Sequence, residues 1–220
     1  MASELRIKVL KKGKEKMEFL LEGASVPFAN ALRRIMLSEI PVLAIDWLEV
    51  HQNSSALFDE MIAQRLGLIP LVFDPEKFNL QDACVCEGKG CPSCQAVFAL
   101  ERTGPGMVTS GDLKPANKSV KPTEAGFPVA ELLAGQRIKL EAVARLGTAQ
   151  EHAKFQAANA VYGNVPAFTD EEETKVNTNP EKFHFTVETV SGLAPEYIVA
   201  KAAEILEEKA ETFKSEVAKL

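Results

Sequence analysis

Four cysteines fall within eleven residues as Cys84-x-Cys86-x4-Cys91-x2-Cys94, and the chain has no others. Four thiolates at that spacing suit one tetrahedral metal ion. The Cys91-Pro92-Ser93-Cys94 pair has the form of a metal knuckle, in which two intervening residues let both sulfurs face one ion. Gly88 and Gly90 permit the sharp turn that brings the first pair round to it. Zinc leads over an iron–sulfur cluster, because neither the bacterial nor the plant ferredoxin spacing matches this one. No His, Asp or Glu arrangement leaves an open coordination position, so one structural ion is expected rather than a catalytic one. A disulfide framework would need an oxidising compartment, and the opening run MASELRIKVLKK holds no apolar signal segment. A redox Cys-x-x-Cys would not require the second pair so close. Four free buried thiols would sit badly in a loop punctuated by Gly and Pro.

Other chemistry finds little support. The histidines at 51, 152 and 184 have no Ser or Cys partner at a motif spacing. Asp59 and Glu60 are neighbours on an expected helix and so point away from each other; charge at a helix N-terminus is the better account. No Walker A run, Gly-x-Gly-x-x-Gly, His-Glu-x-x-His or Gly-x-Ser-x-Gly motif occurs. The net charge of −6 and pI near 5.3 argue against gripping DNA phosphates as the main work, so any link to DNA is expected to be indirect. No apolar run approaches the ~20 residues that cross a bilayer. A cytoplasmic protein without membrane contact is expected.

The elements that must hold the cysteines read as mixed α and β. At 220 residues and 46% hydrophobic, the chain suffices for one large or two modest domains. Leu5–Val9 and Met17–Leu21 alternate around Lys11-Lys12-Gly13-Lys14 and predict a hairpin. A helix follows between Pro27 and Pro41, with Phe28, Leu32, Ile35, Met36 and Ile40 as its apolar stripe. Asn30, Arg33 and Arg34 share its polar face, and on spacing alone two adjacent arginines there read as a solvated surface. Val42–Val50 has strand character, Ala56–Leu66 reads as a short helix, and Val97–Leu100 as the strand leaving the cysteine loop. Residues 103–136 read as an extended, loop-heavy stretch, and 138–142 alternate again. His184 is expected to face outward on the strand 183–190, and Asp170–Glu173 lie in a solvated linker. Pro195 opens a long helix with Val199, Ala202, Leu206, Ala210, Phe213, Val217 and Leu220 at spacings of three and four. Such a narrow stripe packs on its own sheet or seeks a partner helix.

Four segments together carry a resemblance. FANALRRIMLSEIPVLAID (28–46), DEMIAQRLGLIPL (59–71), GTAQEHAKFQ (147–156) and FHFTVETVSGLAPEYIVAKAAEIL (183–206) resemble, in order, signatures of the alpha-type assembly subunits of DNA-directed RNA polymerase. The likeness covers most of the chain and is strongest to the archaeal D-type members. The cysteine loop (82–95) is similar to the zinc loop of the eukaryotic third-largest subunit of RNA polymerase II.

The resemblance implies an α+β fold with a discontinuous dimerisation domain, residues 1–45 with 175–220, and an inserted, mainly β domain at 46–174 carrying the metal loop. It implies a non-catalytic scaffold in transcription, without an active site of its own, that pairs with a smaller subunit L. The interface would use Phe28, Leu32, Ile35, Met36, Leu206, Phe213 and Val217. Arg33 and Arg34 become candidates for contact with the second-largest subunit, and small subunits N and P are further expected neighbours. Many archaeal relatives insert a ferredoxin-like domain before the last strand; residues 155–183 hold no cysteine and are too few for one. The alternative from another class is a free-standing metal- or iron–sulfur-binding redox protein.

Overall fold

Hydrophobic alternation and helix-capping signals along the chain translate into twelve strands and three helices among the described residues. The structure, a computed structural model, describes residues 4–167 and 177–219; the acidic run 170–173 and Leu220 lie outside them. In chain order, β1 is Arg6–Lys12, β2 Lys16–Glu22, α1 Val26–Ser38, β3 Val42–Asn53 and α2 Asp59–Gly67. Then follow β4 (Leu71–Val72), β5 (Gln95–Thr103), β6 (Gly106–Thr109), β7 (Lys114–Pro115), β8 (Lys121–Pro122) and β9 (Pro128–Leu132). The last elements are β10 (Arg137–Gly147), β11 (Ala158–Ala167), β12 (Asn177–Thr189) and α3 (Pro195–Val217).

Two compact units result, Met1–Ile40 with Ala157–Leu220, and Pro41–Gln156. The first is therefore discontinuous. Its return falls at 157 rather than 175, because β11 is hydrogen-bonded to β12 and belongs to the same sheet, in the order β1-β2-β12-β11. Strand β2 buries Met17, Phe19 and Leu21, and β12 buries Phe183, Phe185 and Val187; both are period-2 patterns. The register sets Phe19 opposite Phe185, and their rings stack with centroids 5.0 Å apart. Helix α1 begins where the Ser25 hydroxyl accepts a hydrogen bond from the Phe28 N–H and Pro27 occupies the first turn. It ends at Glu39, before Pro41, and packs Ala29, Leu32, Ile35 and Met36 against β11, β12 and α3. Helix α3 buries Pro195, Ile198 and Ala202 over β12 and β2, and Lys209 reaches Glu39 at the end of α1 at 2.5 Å.

The second unit is a four-stranded sheet, β3-β10-β5-β7, with two small ladders, β4-β8 and β6-β9. Central β10 pairs Leu140 with Leu100 and Ala142 with Phe98, all buried. Helix α2 starts at Asp59 rather than Ala56, because Asn53 and Ser55 build a side-chain-bonded turn first: Asn53 Oδ1 accepts from the Ser55 N–H at 3.0 Å. Its Ile62 and Leu66 are buried, and it lies against β3 and β9.

Residues 103–136 correct the loop-heavy expectation. They hold β6 to β9 and bury Val108, Val120, Val129 and Leu132. Buried Ser110 is fully bonded: its hydroxyl donates to the Glu124 carbonyl at 2.6 Å and accepts from the Phe127 N–H at 3.1 Å. Strands of two to five residues between Gly and Pro leave too short a pattern for periodicity to register. No helix among the described residues is long and apolar enough to cross a membrane.

Candidate metal centre and partner-facing surface

The loop between β4 and β5 gathers all four cysteines. Short 3-10 turns at Pro75–Lys77 and Gln81–Ala83 lead into it, and the Cys84 N–H donates to the Gln81 carbonyl. Glu87, Gly88 and Gly90 all take positive φ, at 52°, 79° and 87°. Such angles are costly for a residue with a Cβ and ordinary for glycine. A Cβ on Gly90 would also run into the Gln95 side chain. The knuckle is closed by the Cys94 and Gln95 N–H groups, each donating to the Cys91 carbonyl at 2.9 Å.

The sulfurs converge. Cys84 Sγ lies 3.5 Å from Cys91 Sγ, Cys86 Sγ 3.5 Å from Cys94 Sγ, and Cys91 Sγ 3.8 Å from Cys94 Sγ, with all four within 4.8 Å of one another. A tetrahedron with metal–sulfur bonds of about 2.3 Å has edges of about 3.8 Å. The separations exceed the ~2.05 Å of a disulfide by a wide margin, and all four are free thiols. Donor type and spacing therefore fit a closed four-thiolate site for a metal ion. The Cys91 N–H points to Cys94 Sγ at 3.3 Å, the kind of outer hydrogen bond that steadies a ligating sulfur. Cys84 and Cys94 are buried, Cys86 and Cys91 half-buried. Burial pushes the Cys94 thiol up to about 12. Burial also opposes ionisation of Cys86, but hydrogen bonds from Cys84, Cys94 and the Gly90 N–H outweigh it and bring that thiol down to about 7.

The residues assigned to a partner surface divide into two sets. Leu32, Ile35 and Met36 are 4%, 3% and 0% exposed, spent on the core of their own unit. Phe28 and Leu206 are half-buried. Phe213 and Val217 are open, at 72% and 48%, on a stretch of α3 in which every residue from 207 to 219 is exposed. The buried residues of α3, Pro195, Ile198 and Ala202, all lie near its N-terminal end, and the stripe through Leu206, Phe213 and Val217 continues past them. Packing against the chain's own sheet thus leaves that stripe partly uncovered. Arg33 is held by Asn30, whose Oδ1 accepts from Nε at 3.2 Å and Nη2 at 2.9 Å. Arg34 is exposed and its side chain makes no ion pair among the described residues.

A cluster invisible to spacing analysis ties three of the four signature segments together. Asp46, at the end of the first, accepts from Arg145 Nε at 2.7 Å and from Lys154 Nζ at 2.5 Å. Both cations lie 5.1 Å from the Phe155 ring centroid. Gly147 leaves room for that ring, since a Cβ there would meet it at 2.7 Å. Glu151 binds Arg145 at 3.0 Å, and His152 Nδ1 accepts from the Lys154 N–H at 3.0 Å. Desolvation opposes charge on Asp46, but the hydrogen bonds from Lys154 and Arg145 prevail and hold its carboxyl below the usual range. A cavity of about 350 Å³ opens beside the cluster, lined by Asp46, Lys154, His152 and, from α2, Ala63, Gln64 and Gly67.

Residues 18–210 match the family described as the RNA polymerase Rpb3/Rpb11 dimerisation domain. A protein of Archaeoglobus fulgidus named DNA-directed RNA polymerase subunit Rpo3 is 44% identical over 161 residues, which are 73% of this chain and 61% of that protein. The protein of the same name in Methanosarcina mazei is 40% identical over 169 residues, 76% of this chain and 64% of its own length. The match thus spans less than two thirds of either relative. That of Thermococcus kodakarensis is 36% identical over an alignment of 262 positions covering 98% of this chain and 99% of that protein.

Proposed function

Since this chain belongs to the RNA polymerase Rpb3/Rpb11 dimerisation-domain family, we propose that it is a non-catalytic assembly subunit of an archaeal DNA-directed RNA polymerase. In this reading it acts in the cytoplasm, pairs with subunit L and forms the platform on which the large catalytic subunits assemble. Nucleotide addition belongs to those subunits. The observation that carries the reading is the match over residues 18–210, together with a first unit whose α3 carries the apolar stripe Leu206, Phe213 and Val217 into its unburied half.

Phe213, Val217 and Leu206 are the pairing residues of choice, with Phe28 at the margin; Leu32, Ile35 and Met36 support α1 from beneath. Arg34, and Arg33 beside it, are assigned to the second-largest subunit, and the small subunits N and P complete the neighbourhood. The four-cysteine loop is assigned one structural zinc ion, because four soft thiolates with tetrahedral separations and no open position suit zinc better than an oxygen-seeking metal. The ion would pin a long loop in the second unit, coupling metal binding to folding. Lys89 and the loop N–H groups offset the charge of about −2 that four thiolates leave on the ion.

The test is co-expression of the chain with subunit L, followed by size-exclusion chromatography, elemental analysis and a visible spectrum. A colourless one-to-one complex with about one zinc ion per pair is the expected result. A monomer holding stoichiometric iron and absorbing in the visible would overturn both assignments.

A further inference from the structure

The helical layer of the first unit stops short of its sheet. The register sets Ile7 opposite Leu21 and Val9 opposite Phe19, so all four side chains leave the same face. Leu21 and Phe19 are 0% exposed; Ile7 is 56% and Val9 49% exposed. Helix α1 lies against β11 and β12, and α3 against β12 and β2. Edge strand β1 lies outside the main packing of both, joined to α3 by the Lys12–Glu196 pair, and every one of its residues is exposed. A sheet face with apolar side chains is stable when another layer covers it, and here one layer is missing along one strand.

The edge itself is built against strand addition. β1 carries a register shift between Val9 and Lys11, and it is rich in lysine; bulges and lysines are what keep an open edge from pairing with a foreign strand. An occupant must therefore lie on the face, as a helix does. Its charge follows from the hairpin. Residues 6–16 hold six Lys and Arg against one Glu, in a chain whose net charge is −6. Lys8, Lys11 and Lys14 enter no ion pair among the described residues, while Lys12, on the apolar face opposite Met17, already holds a helical carboxylate, Glu196 of α3, at 2.8 Å. That pair is a local example of how this strand receives an acidic helix.

We propose that the Ile7–Val9 face of β1 is a docking strip for an acidic amphipathic helix of the dimerisation partner, which completes the helical layer over the sheet. The proposal rests on the heterodimer reading above and extends it to residues outside the matched 18–210 span. Apolar contact with Ile7 and Val9 supplies the affinity, and the cations around the edge speed and orient the encounter.

The test measures binding of purified subunit L to the full chain by titration calorimetry and stopped flow at low and high salt. Ile7→Ser with Val9→Ser should weaken binding at least tenfold while leaving the chain's urea midpoint unchanged, because neither side chain is in the core. Lys8→Glu with Lys11→Glu should slow association and flatten its dependence on salt. Binding of the Ile7/Val9 variant within twofold of wild type overturns the docking strip and leaves the heterodimer standing. Loss of duplex-DNA binding in the lysine variant, with association to L unchanged, reassigns the hairpin to nucleic acid and overturns it too. Failure of the wild-type chain to bind L at all removes both readings.

Discussion

Phe213→Ala should weaken pairing with subunit L by about tenfold and leave the folding stability of the chain itself unchanged. Burying a phenylalanine side chain completely is worth about 1.5–3 kcal/mol over leaving it in water. Phe213 keeps 72% of its surface open in the single chain. Covering that surface is thus worth about 1–2 kcal/mol, or about a 5- to 30-fold change in Kd. Leu32→Ala supplies the contrast. Leu32 is 4% exposed, under α1, and large-to-small changes at such sites cost about 2–5 kcal/mol of folding stability. Urea unfolding followed by circular dichroism reads the folding stability, and titration calorimetry with L reads the Kd. The expected pattern is a lowered midpoint for Leu32→Ala alone and a raised Kd at an unchanged midpoint for Phe213→Ala. A Phe213→Ala midpoint as low as that of Leu32→Ala, or an unaltered Kd, refutes the assignment of the outer half of α3 to a partner.

Cys94→Ser should abolish stoichiometric metal and lower the thermal midpoint of the metal-loaded protein; retention of one ion per chain in elemental analysis would count against the four-thiolate site. Because the ion binds thiolates, with Cys86 near 7 and Cys94 near 12 as free thiols, apparent metal affinity should fall steadily as pH drops from 8 to 6. Calorimetry in buffers of differing ionisation heat should register the protons released. Asp46→Asn should cost about 1–3 kcal/mol at neutral pH, since Arg145 and Lys154 lose a half-buried charged acceptor. The folded Asp46 carboxyl lies below its unfolded value, so its contribution is complete above about pH 4 and is lost as pH falls through the folded value. The gap between wild type and variant should therefore close in acid-unfolding curves. Gly147→Ala should destabilise by about 1–3 kcal/mol through overlap with Phe155, measurable by thermal melting; a neutral effect would mean that the ring can shift.

Much of this was readable from residue order because the signals were local. The β1–β2 hairpin alternates on either side of a lysine-rich turn, α1 is bracketed by Pro27 and Pro41, and four cysteines in eleven residues have few ways to be arranged. Long-range contacts left no such trace. Asp46 meets Arg145 and Lys154 across about a hundred residues, and only folding makes them neighbours. Helix α3 was legible as a helix, but not how far along it the chain's own sheet would reach. Its stripe includes buried Ala202 near the start and open Phe213 near the end, and spacing cannot say where burial stops. The same holds for Ile7 and Val9. Alternation places them on one face of β1, yet whether a helix covers that face depends on where α1 and α3 come to rest.

The discontinuity of the first unit also sets a timetable. Strand β2 finds its neighbour in β12, where Glu22 pairs with Lys182. During synthesis the hairpin emerges and then waits for about 160 further residues, roughly 8–30 s at ribosomal speeds of about 5–20 residues per second. Throughout that interval Phe19 and Leu21 have no sheet to close over them, while the contiguous residues 41–156 can fold as soon as they emerge. The metal loop lies in that earlier part, and α3 is made only after β12. On the proposed pairing through α3, recruitment of the partner is thereby deferred until the sheet beneath that helix can form, and the order of translation would guard against assembly on an unfinished subunit.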